Sequence, residues 1–342
     1  MRRPLPTLSE RSDERLADSF GRRITDLRVS LTDRCNFRCV YCIPDEHNDW
    51  IPRQELLRYE EIESIVRASV SLGIEKVRLT GGEPLLRRDL PVLVEMLGRI
   101  PGVRDFALTT NGYFLPQAAG DLARAGLRRI TISLDSIRTA KFALLTGRDA
   151  LARVLEGIEA ARSAGLDPIK VNCVVMRGFN DDEVADFAAF ARESALSVRF
   201  IEFMPLDGRP DWDRNQVVSG AEMLAAIRQR FDLVAVDPAT PSETARRYRF
   251  ADGAPGEVGF ITTITEPFCD GCSRLRLTAD GKLRTCLFSA RAHDVKALVR
   301  GGAPQAAIER FIRETVLTKE AGHAINVAGF TPSAESMSSI GG

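Results

Sequence analysis

The chain has 342 residues, and its 47 basic and 47 acidic residues cancel at neutral pH. This length exceeds that of one small domain and suits a barrel-sized domain with a smaller one appended. The charge balance argues against a nucleic-acid-binding or membrane-surface protein. No apolar run approaches the ~18 residues of a membrane span, and the charged N-terminus has no apolar signal segment behind it. We therefore expect a soluble, cytoplasmic protein.

Short β-rich runs alternate with longer amphipathic stretches from about residue 26 to residue 205. The predicted strands are 27–31, 76–80, 106–109, 130–135, 169–175 and 198–204, and the predicted helices are 59–72, 90–100, 151–164 and 181–195. Six strand–helix units in series predict a parallel sheet. Closed or nearly closed, this sheet becomes an incomplete (βα)6-type TIM barrel, with functional groups at the C-terminal ends of its strands.

The two faces of the predicted strands differ in polarity. One face is apolar and comprises Leu27, Val29, Leu31, Val77, Leu79, Ile130, Ile132, Leu134, Ile169, Val171 and Cys173. The other is polar and comprises Arg28, Ser30, Thr32, Arg78, Thr80, Thr131, Ser133, Asp135, Lys170, Asn172 and Glu202. If helices cover the apolar face, the polar side chains line a cavity for a large anionic ligand. The alternative is an open sheet with one solvated face.

Six of the seven cysteines form two triads, which are Cys35, Cys39 and Cys42, and Cys269, Cys272 and Cys286. The first triad follows the first predicted strand with the spacing C-x3-C-x2-C. A cubic iron–sulfur cluster takes four ligands, so a cluster on either triad has one iron open. An open coordination position distinguishes catalytic metal centres from closed structural ones. The spacing therefore predicts two clusters that each bind something besides protein.

The cysteines could instead form disulfides, bind zinc or be buried as apolar residues. Disulfides are disfavoured because the chain lacks a secretory signal and its cysteine count is odd. Zinc remains an alternative for Cys269 and Cys272, since C-x2-C is a common zinc half-site. The three histidines of the chain are not paired at ligand spacing. Cys173 lies alone in an apolar strand and is best explained as a small buried hydrophobic residue.

The run Cys-Asn-Phe-Arg-Cys-Val-Tyr-Cys resembles the signature of radical S-adenosylmethionine (SAM) enzymes. The resemblance implies that SAM binds the open iron of a [4Fe-4S] cluster on the first triad. An electron from an external donor then yields a 5′-deoxyadenosyl radical. The resemblance also implies SAM contacts at Tyr41, Gly82, Ser133 and Met204. Gly82 belongs to a Gly-Gly-Glu-Pro run, where glycine permits close approach of the backbone to a ligand.

The second triad, followed by Ser-Arg-Leu-Arg, narrows the resemblance to the GTP 3′,8-cyclase family of lyases, which begins molybdenum cofactor biosynthesis. In that family a second [4Fe-4S] cluster binds the guanine base of GTP. The resemblance implies GTP contacts at Arg28, Arg78, Thr109, Lys170, Arg274, Leu275 and Arg276. The implied reaction removes the C3′ hydrogen of the ribose and joins C3′ to C8 of guanine. The products are 3′,8-cyclo-7,8-dihydro-GTP, methionine and 5′-deoxyadenosine.

The resemblance extends from about Leu27 to the final Gly341-Gly342. We expect an N-terminal tail over 1–18, a radical SAM core over 19–245 and a C-terminal α+β domain with the second cluster over 246–342. The boundary between the last two falls somewhere in 207–246, and a helix near 219–231 fits either domain. The first ~25 residues lie outside the resemblance and are predicted to be a poorly ordered tail.

Gly341 and Gly342 are either a flexible end or, as in similar enzymes, a catalytic tail that enters the active site. The resemblance further implies a homodimer and a hand-off of product to cyclic pyranopterin monophosphate synthase. Two alternative functions remain. One is another radical SAM enzyme with an auxiliary cluster, such as a peptide-modifying enzyme, and the other is a non-catalytic zinc-binding module.

Overall fold

The computed structural model describes residues 15–43, 50–206, 212–327, 330 and 337–340. The first part of the chain builds six strands, which are β1 (Asp26–Ser30), β2 (Lys76–Thr80), β3 (Asp105–Thr110), β4 (Arg129–Ser133), β5 (Ile169–Val175) and β6 (Ser197–Glu202). The helices that accompany them are α1 (Tyr59–Ser71), α2 (Leu90–Gly98), α3 (Leu115–Arg124), α4 (Thr139–Thr146), α5 (Leu151–Ser163), α6 (Val184–Ser194) and α7 (Gly220–Arg228). Adjacent strands from β1 to β6 pair in parallel.

The rest of the chain extends this sheet at both edges. It contributes β7 (Leu233–Val236), β8 (Arg246–Phe250), β9 (Glu257–Ile261), β10 (Arg274–Leu277), β11 (Lys282–Arg284), β12 (His293–Asp294), α8 (Lys296–Arg300), α9 (Gln305–Leu317) and α10 (Met337–Ile340). The sheet order is β12-β11-β10-β1-β2-β3-β4-β5-β6-β9-β8-β7. Because β10 pairs in parallel with β1 and β9 with β6, C-terminal strands cover both edges of the six-stranded core.

All six predicted strands and four predicted helices are confirmed to within a few residues. Helices α3 and α4 were not predicted. Helix α3 contains Gly120, which is a poor helix former, and α4 spans only eight residues. The last predicted helix begins later than expected, because residues 181–183 form a separate turn of 3-10 helix.

The apolar face of the strands is buried beneath the helices, as predicted. Glu202 was placed on the polar face, and this prediction is wrong. It shares the parity of Val198 and Phe200, and its fully buried carboxylate turns away from the cavity. It accepts hydrogen bonds from the backbone of Gly220 at 3.2 Å and of Ile264 at 2.7 Å. Glu202 therefore anchors the start of α7 and the loop after β9.

The prediction of a poorly ordered tail over the first 25 residues is wrong from residue 15 onward. Leu16 and Ile24 are buried in the main core. The Leu16 N–H donates to Leu72 O at 2.9 Å, and the Ile24 N–H donates to Leu16 O at 2.9 Å. The prediction rested only on the lack of resemblance to the family in this segment. Burial of these two apolar side chains against the end of α1 stabilises the folded segment.

Helix α7 lies within the predicted 219–231 segment. The Ser219 hydroxyl accepts a hydrogen bond from the Glu222 N–H at 3.2 Å, and the Glu222 carboxylate accepts one from the Ser219 N–H at 2.9 Å. This reciprocal pair is a capping box, which explains where the helix begins. Helix α7 packs against α6 of the core. Within the described residues, no helix is long and apolar enough to cross a membrane.

Candidate active site

A basic cavity of about 280 Å³ lies on the polar face of the six parallel strands. Its strand residues include Arg28, Arg78, Thr109, Thr131, Lys170, Asn172 and Arg199. Pairing places Arg28 opposite Arg78, and Thr131 between Thr109 and Lys170. Side chains from all six strands reach one cavity only if the sheet curls around it. The predicted polar lumen is therefore confirmed.

The basic cavity carries more positive than negative charge. Seven basic and three acidic side chains line it, a formal excess of four. Arg78 donates to the hydroxyls of Thr109 at 3.2 Å and Thr131 at 2.9 Å. Across the described part of the chain, Arg28, Lys170 and Arg199 make no hydrogen bond or ion pair. The buried Nε atoms of Arg28 and Arg199 are likewise unsatisfied, a pattern that indicates a site built for an anion.

Burial and mutual repulsion weaken the protonation of these basic groups. Burial first, and then Arg199, Arg129 and Arg78, lower the pKa of Lys170 from 10.5 to about 7. Burial and Arg78 lower the pKa of Arg199 to about 10. The attraction of an anion bound among these groups would cancel the repulsion and offset the cost of burial.

A second cavity, the thiol cavity, adjoins the first and has a volume of about 150 Å³. Cys269, Cys272 and Cys286 line it, and so do Met204, Phe268 and Phe288. It shares Arg28, Asn172, Thr244, Ile261 and Arg274 with the basic cavity. The two cavities therefore form one continuous site with a charged half and a largely apolar, thiol-bearing half.

The second cysteine triad is tightly held. Cys269 begins a turn of 3-10 helix, in which the Cys272 N–H donates to Cys269 O at 3.0 Å. Although burial raises the pKa of Cys272, Arg274 and Lys319 outweigh it and lower the pKa to about 7. Burial raises the pKa of Cys286. A readily ionised thiol beside two cations is suited to ligate a metal, because the thiolate is the ligating form.

The first cysteine triad lies in the loop after β1, where the backbone after β2 supports it. The Gly82 N–H donates to Thr32 O at 2.6 Å, and the Glu83 N–H donates to Arg34 O at 2.7 Å. A Cβ atom on Gly82 would lie 2.3 Å from Arg34 O. Only glycine permits this approach, so the Gly-Gly-Glu run and the cysteine loop are packed as one unit.

Glu83 connects this unit to the next strand. Its buried carboxylate accepts hydrogen bonds from the Thr110 hydroxyl at 2.7 Å, the Asn111 N–H at 2.7 Å and the Leu85 N–H at 2.9 Å. Burial raises the pKa of Glu83 to about 7. The Asn111 amide in turn donates to the Cys35 sulfur at 3.6 Å. Glu83 thus orients the side chain that contacts a predicted cluster ligand.

The residues predicted to contact SAM lie after or at the C-terminal ends of four strands. Gly82 follows β2, Ser133 ends β4, Met204 follows β6, and Tyr41 lies in the loop after β1. The Tyr41 hydroxyl donates to Asp135 at 2.6 Å, which fixes the third-cysteine end of the loop against β4. Among these four, Met204 also lines the thiol cavity.

The structure separates the predicted GTP contacts into two groups. Arg28, Arg78, Thr109, Lys170, Arg274 and Arg276 line one or both cavities. The Leu275 side chain is instead buried in the core opposite Leu27, which leaves only its backbone for a ligand.

Two arginines that line the basic cavity were not predicted from the sequence. Arg199 lies between apolar Val198 and Phe200 in β6, and Arg129 precedes the predicted fourth strand by one residue. The same strand parity that identified Arg28 could have found both. Gly341 and Gly342 lie outside the described residues, but Met337 of α10 lines the thiol cavity.

The donor sets fit iron–sulfur clusters. All six triad cysteines are half-buried free thiols, and a cubic cluster binds each thiolate at a different iron. In the described ranges, no group of three His, Cys, Asp or Glu side chains is arranged around a single metal ion.

Comparison with known protein families defines the class of the protein. The Radical SAM superfamily model matches residues 29–191, which include the first triad. The Molybdenum Cofactor Synthesis C model matches residues 196–325, which include the second. A solved structure of native anSMEcpe with bound AdoMet has a TM-score of 0.59 at 14% identity, with 88% of this chain and 82% of that chain covered. Streptococcus suis SuiB bound to S-adenosylmethionine has a TM-score of 0.54 at 15% identity, with 77% of this chain and 60% of that chain covered. The protein is thus a radical SAM enzyme with that superfamily's fold.

Curated relatives narrow the assignment. The chain is 48% identical to a GTP 3′,8-cyclase of Acidothermus cellulolyticus, with 88% of this chain and 84% of the relative covered. It is 45% identical to a GTP 3′,8-cyclase of Streptomyces coelicolor, with 96% of both chains covered. A similar relative from Pelotomaculum thermopropionicum is 46% identical, with 90% and 95% covered. The chain belongs to the GTP 3′,8-cyclase family.

Proposed function

We propose that this protein converts GTP into 3′,8-cyclo-7,8-dihydro-GTP, the first step of molybdenum cofactor biosynthesis. The observation that carries the proposal is the basic cavity joined to a thiol cavity. A nucleoside triphosphate has the same two parts, which are a charged tail and a flat, largely apolar base.

The triphosphate occupies the basic cavity in this proposal. It brings about four negative charges at neutral pH, against a formal excess of four positive charges on the lining. Arg28 and Arg199 supply guanidinium groups that can bind phosphate oxygens in a bidentate manner. Lys170 adds a compact charge. Arg78, which is already held by two threonine hydroxyls, is preorganised for the ligand.

The guanine base lies in the thiol cavity, next to a second [4Fe-4S] cluster held by Cys269, Cys272 and Cys286. Phe268 and Phe288 flank this space, and their rings exclude water from the base. The Arg274 guanidinium stacks on the Phe268 ring at 5.0 Å, which fixes it at the junction of the two cavities. Arg274 and Arg276 then contact the nucleotide and lie beside the cysteines that hold the second cluster.

Cys35, Cys39 and Cys42 hold the first [4Fe-4S] cluster, beside which Tyr41, Gly82, Ser133 and Met204 bind SAM. When bound, this cluster and SAM supply a 5′-deoxyadenosyl radical. The role of the protein is to hold the ribose C3′ hydrogen close to that radical and to exclude water. Met204 lines the thiol cavity and belongs to the predicted SAM contacts, so it marks where the two ligands approach each other.

The wider setting of the reaction forms part of the proposal. An external donor supplies the electron, the Gly341-Gly342 tail takes part in catalysis, and the product passes to cyclic pyranopterin monophosphate synthase. We also propose that the protein forms a homodimer and acts in the cytoplasm. The seven free thiols are consistent with a reducing compartment.

The test is a turnover assay under nitrogen with dithionite, SAM and GTP. We expect 5′-deoxyadenosine and a cyclised nucleotide in equal amounts, and about eight irons per chain from two cubes. ATP is the control because it has the same triphosphate and a different base. Turnover of SAM only with a peptide would favour the peptide-modifying alternative, and stoichiometric zinc without iron would exclude both enzymatic functions.

A further inference from the structure

The second cysteine triad is assembled from two separate segments. Cys269 and Cys272 precede β10, whereas Cys286 follows β11. The antiparallel β10–β11 pair brings the segments near each other, with Arg276 opposite Arg284. Pairing of two short strands does not constrain the loops beyond them. The distance between the segment with Cys269 and Cys272 and the segment with Cys286 must therefore be set by other contacts. Residues 319–322, which we term the bridging segment, lie against both.

Lys319 connects the two halves directly. Its side chain is buried, with a residue exposure of 4%. The Nζ group donates to Arg274 O at 3.0 Å and also to Thr285 O. Arg274 is two residues after Cys272, and Thr285 immediately precedes Cys286. One buried ammonium group thus joins the backbone beside Cys272 to the backbone beside Cys286.

Arg22 makes a parallel connection from the N-terminal segment. Its guanidinium donates to Cys269 O at 2.9 Å, to Ala321 O at 2.7 Å and to Glu320 O at 2.5 Å. Asp18 orients it through an ion pair of 2.6 Å. Arg22 therefore ties the first cysteine of the triad to the bridging segment.

Glu320 and Gly322 complete the contacts of the bridging segment. The Glu320 carboxylate accepts a hydrogen bond from the Thr285 hydroxyl at 2.8 Å. A Cβ atom on Gly322 would lie 3.2 Å from Cys269 Cβ, so the segment also touches that cysteine by packing. Lys319 and Arg22 together donate charge-assisted hydrogen bonds to five backbone carbonyls. Loss of either cation removes these donors from carbonyls beside the cysteines.

We propose that Lys319 and Arg22 are positioning residues of the second iron–sulfur site, and that they set the separation of Cys269, Cys272 and Cys286. The inference rests on the proposed function for the identity of the bound group. Lys319 also places a positive charge within electrostatic reach of Cys272 and Cys286. A cation beside a negatively charged cluster stabilises its reduced state.

The experiment compares the reconstituted wild-type protein with Lys319→Met, Lys319→Arg and Arg22→Gln. Iron and sulfide content, the electron paramagnetic resonance spectrum of the reduced protein and midpoint potentials are measured. We expect Lys319→Met and Arg22→Gln to fall from about eight irons per chain to about four. Cleavage of SAM should persist, and affinity for GTP should fall at least tenfold. Lys319→Arg should recover iron and give a shifted spectrum of the second cluster.

Lys296→Met is the matched control. This lysine also has a largely buried side chain, whose ammonium group binds Glu55 at 2.7 Å, but it lines neither cavity. It should retain about eight irons. Full iron content with unchanged spectra and potentials in both Lys319→Met and Arg22→Gln would overturn the proposal. Joint loss of both clusters would also overturn it, because the two residues would then support the whole fold. If the wild-type protein holds two clusters but makes no cyclised nucleotide, the proposed function fails and the comparison of iron contents still stands.

Discussion

Lys170 should make GTP binding depend on pH in a way that can be calculated. In the free protein, burial and the neighbouring arginines lower the pKa of Lys170 from 10.5 to about 7. This change corresponds to about 5 kcal/mol of free energy opposing the charged form. A bound triphosphate adds negative charge beside Lys170 and favours its charged form, so the pKa of Lys170 should return toward 10.5. Binding above pH 7 must then take up a proton.

The sign and size of the effect follow from this linkage. As pH rises through 7, the free protein loses the proton that the complex requires, so affinity falls by up to tenfold per pH unit. Between pH 7.0 and 8.5 the Kd should rise by about 15-fold. Staying above pH 7 keeps the terminal phosphate ionised, since its pKa is about 6. Calorimetric titration in two buffers of different ionisation enthalpy counts the protons, and we expect uptake of nearly one at pH 8.

Two variants isolate the contribution of Lys170. Lys170→Arg keeps a charge that does not titrate in this range, so its Kd should be nearly flat above pH 7. Lys170→Met removes the charge and should be both flat and weaker. If the wild-type Kd changes with pH no more than that of Lys170→Arg, or if no proton is taken up, the reasoning about this cavity is refuted.

Three further predictions concern other parts of the site. Arg199→Ala should weaken GTP binding by about 10- to 100-fold, the value of one or two lost charge-assisted hydrogen bonds. Arg192 is half-buried and lines neither cavity, so Arg192→Ala should leave affinity unchanged in the same titration. Gly82→Ala should abolish binding of the first cluster and cleavage of SAM, because its Cβ would lie 2.3 Å from Arg34 O. Retention of about eight irons per chain would contradict this prediction. Deletion of residues 341–342 should leave SAM cleavage largely intact and reduce GTP cyclisation, and normal cyclisation in the same assay would exclude a catalytic tail.

Much of the candidate site can be predicted from local sequence. The spacing of Cys35, Cys39 and Cys42 is a property of eight consecutive residues. Strand parity is equally local, because successive side chains of a strand point to opposite faces. Parity alone therefore identifies Arg28 and Lys170 as cavity residues, and applied throughout it would also have found Arg199.

Some errors show where local reasoning fails. Glu202 is polar, but its partners are Gly220 and the loop after β9, which are distant in sequence. A buried carboxylate is tolerated only where hydrogen-bond donors or cations converge on it. No local pattern shows whether they do. The same holds for Leu16, whose burial depends on the position of the end of α1.

The sequence by itself determined the two thiol triads, the parallel strands and the charged face that lines the cavity. Each of these follows from local spacing of residues or from the order of consecutive elements along the chain. Only the tertiary structure decided that β10 lies beside β1, which brings Arg274 and Arg276 next to Arg28. It also decided that Lys319 and Arg22 meet at the second triad. These contacts join residues far apart in the chain, and they depend on how the sheet curls and which strands cover its edges.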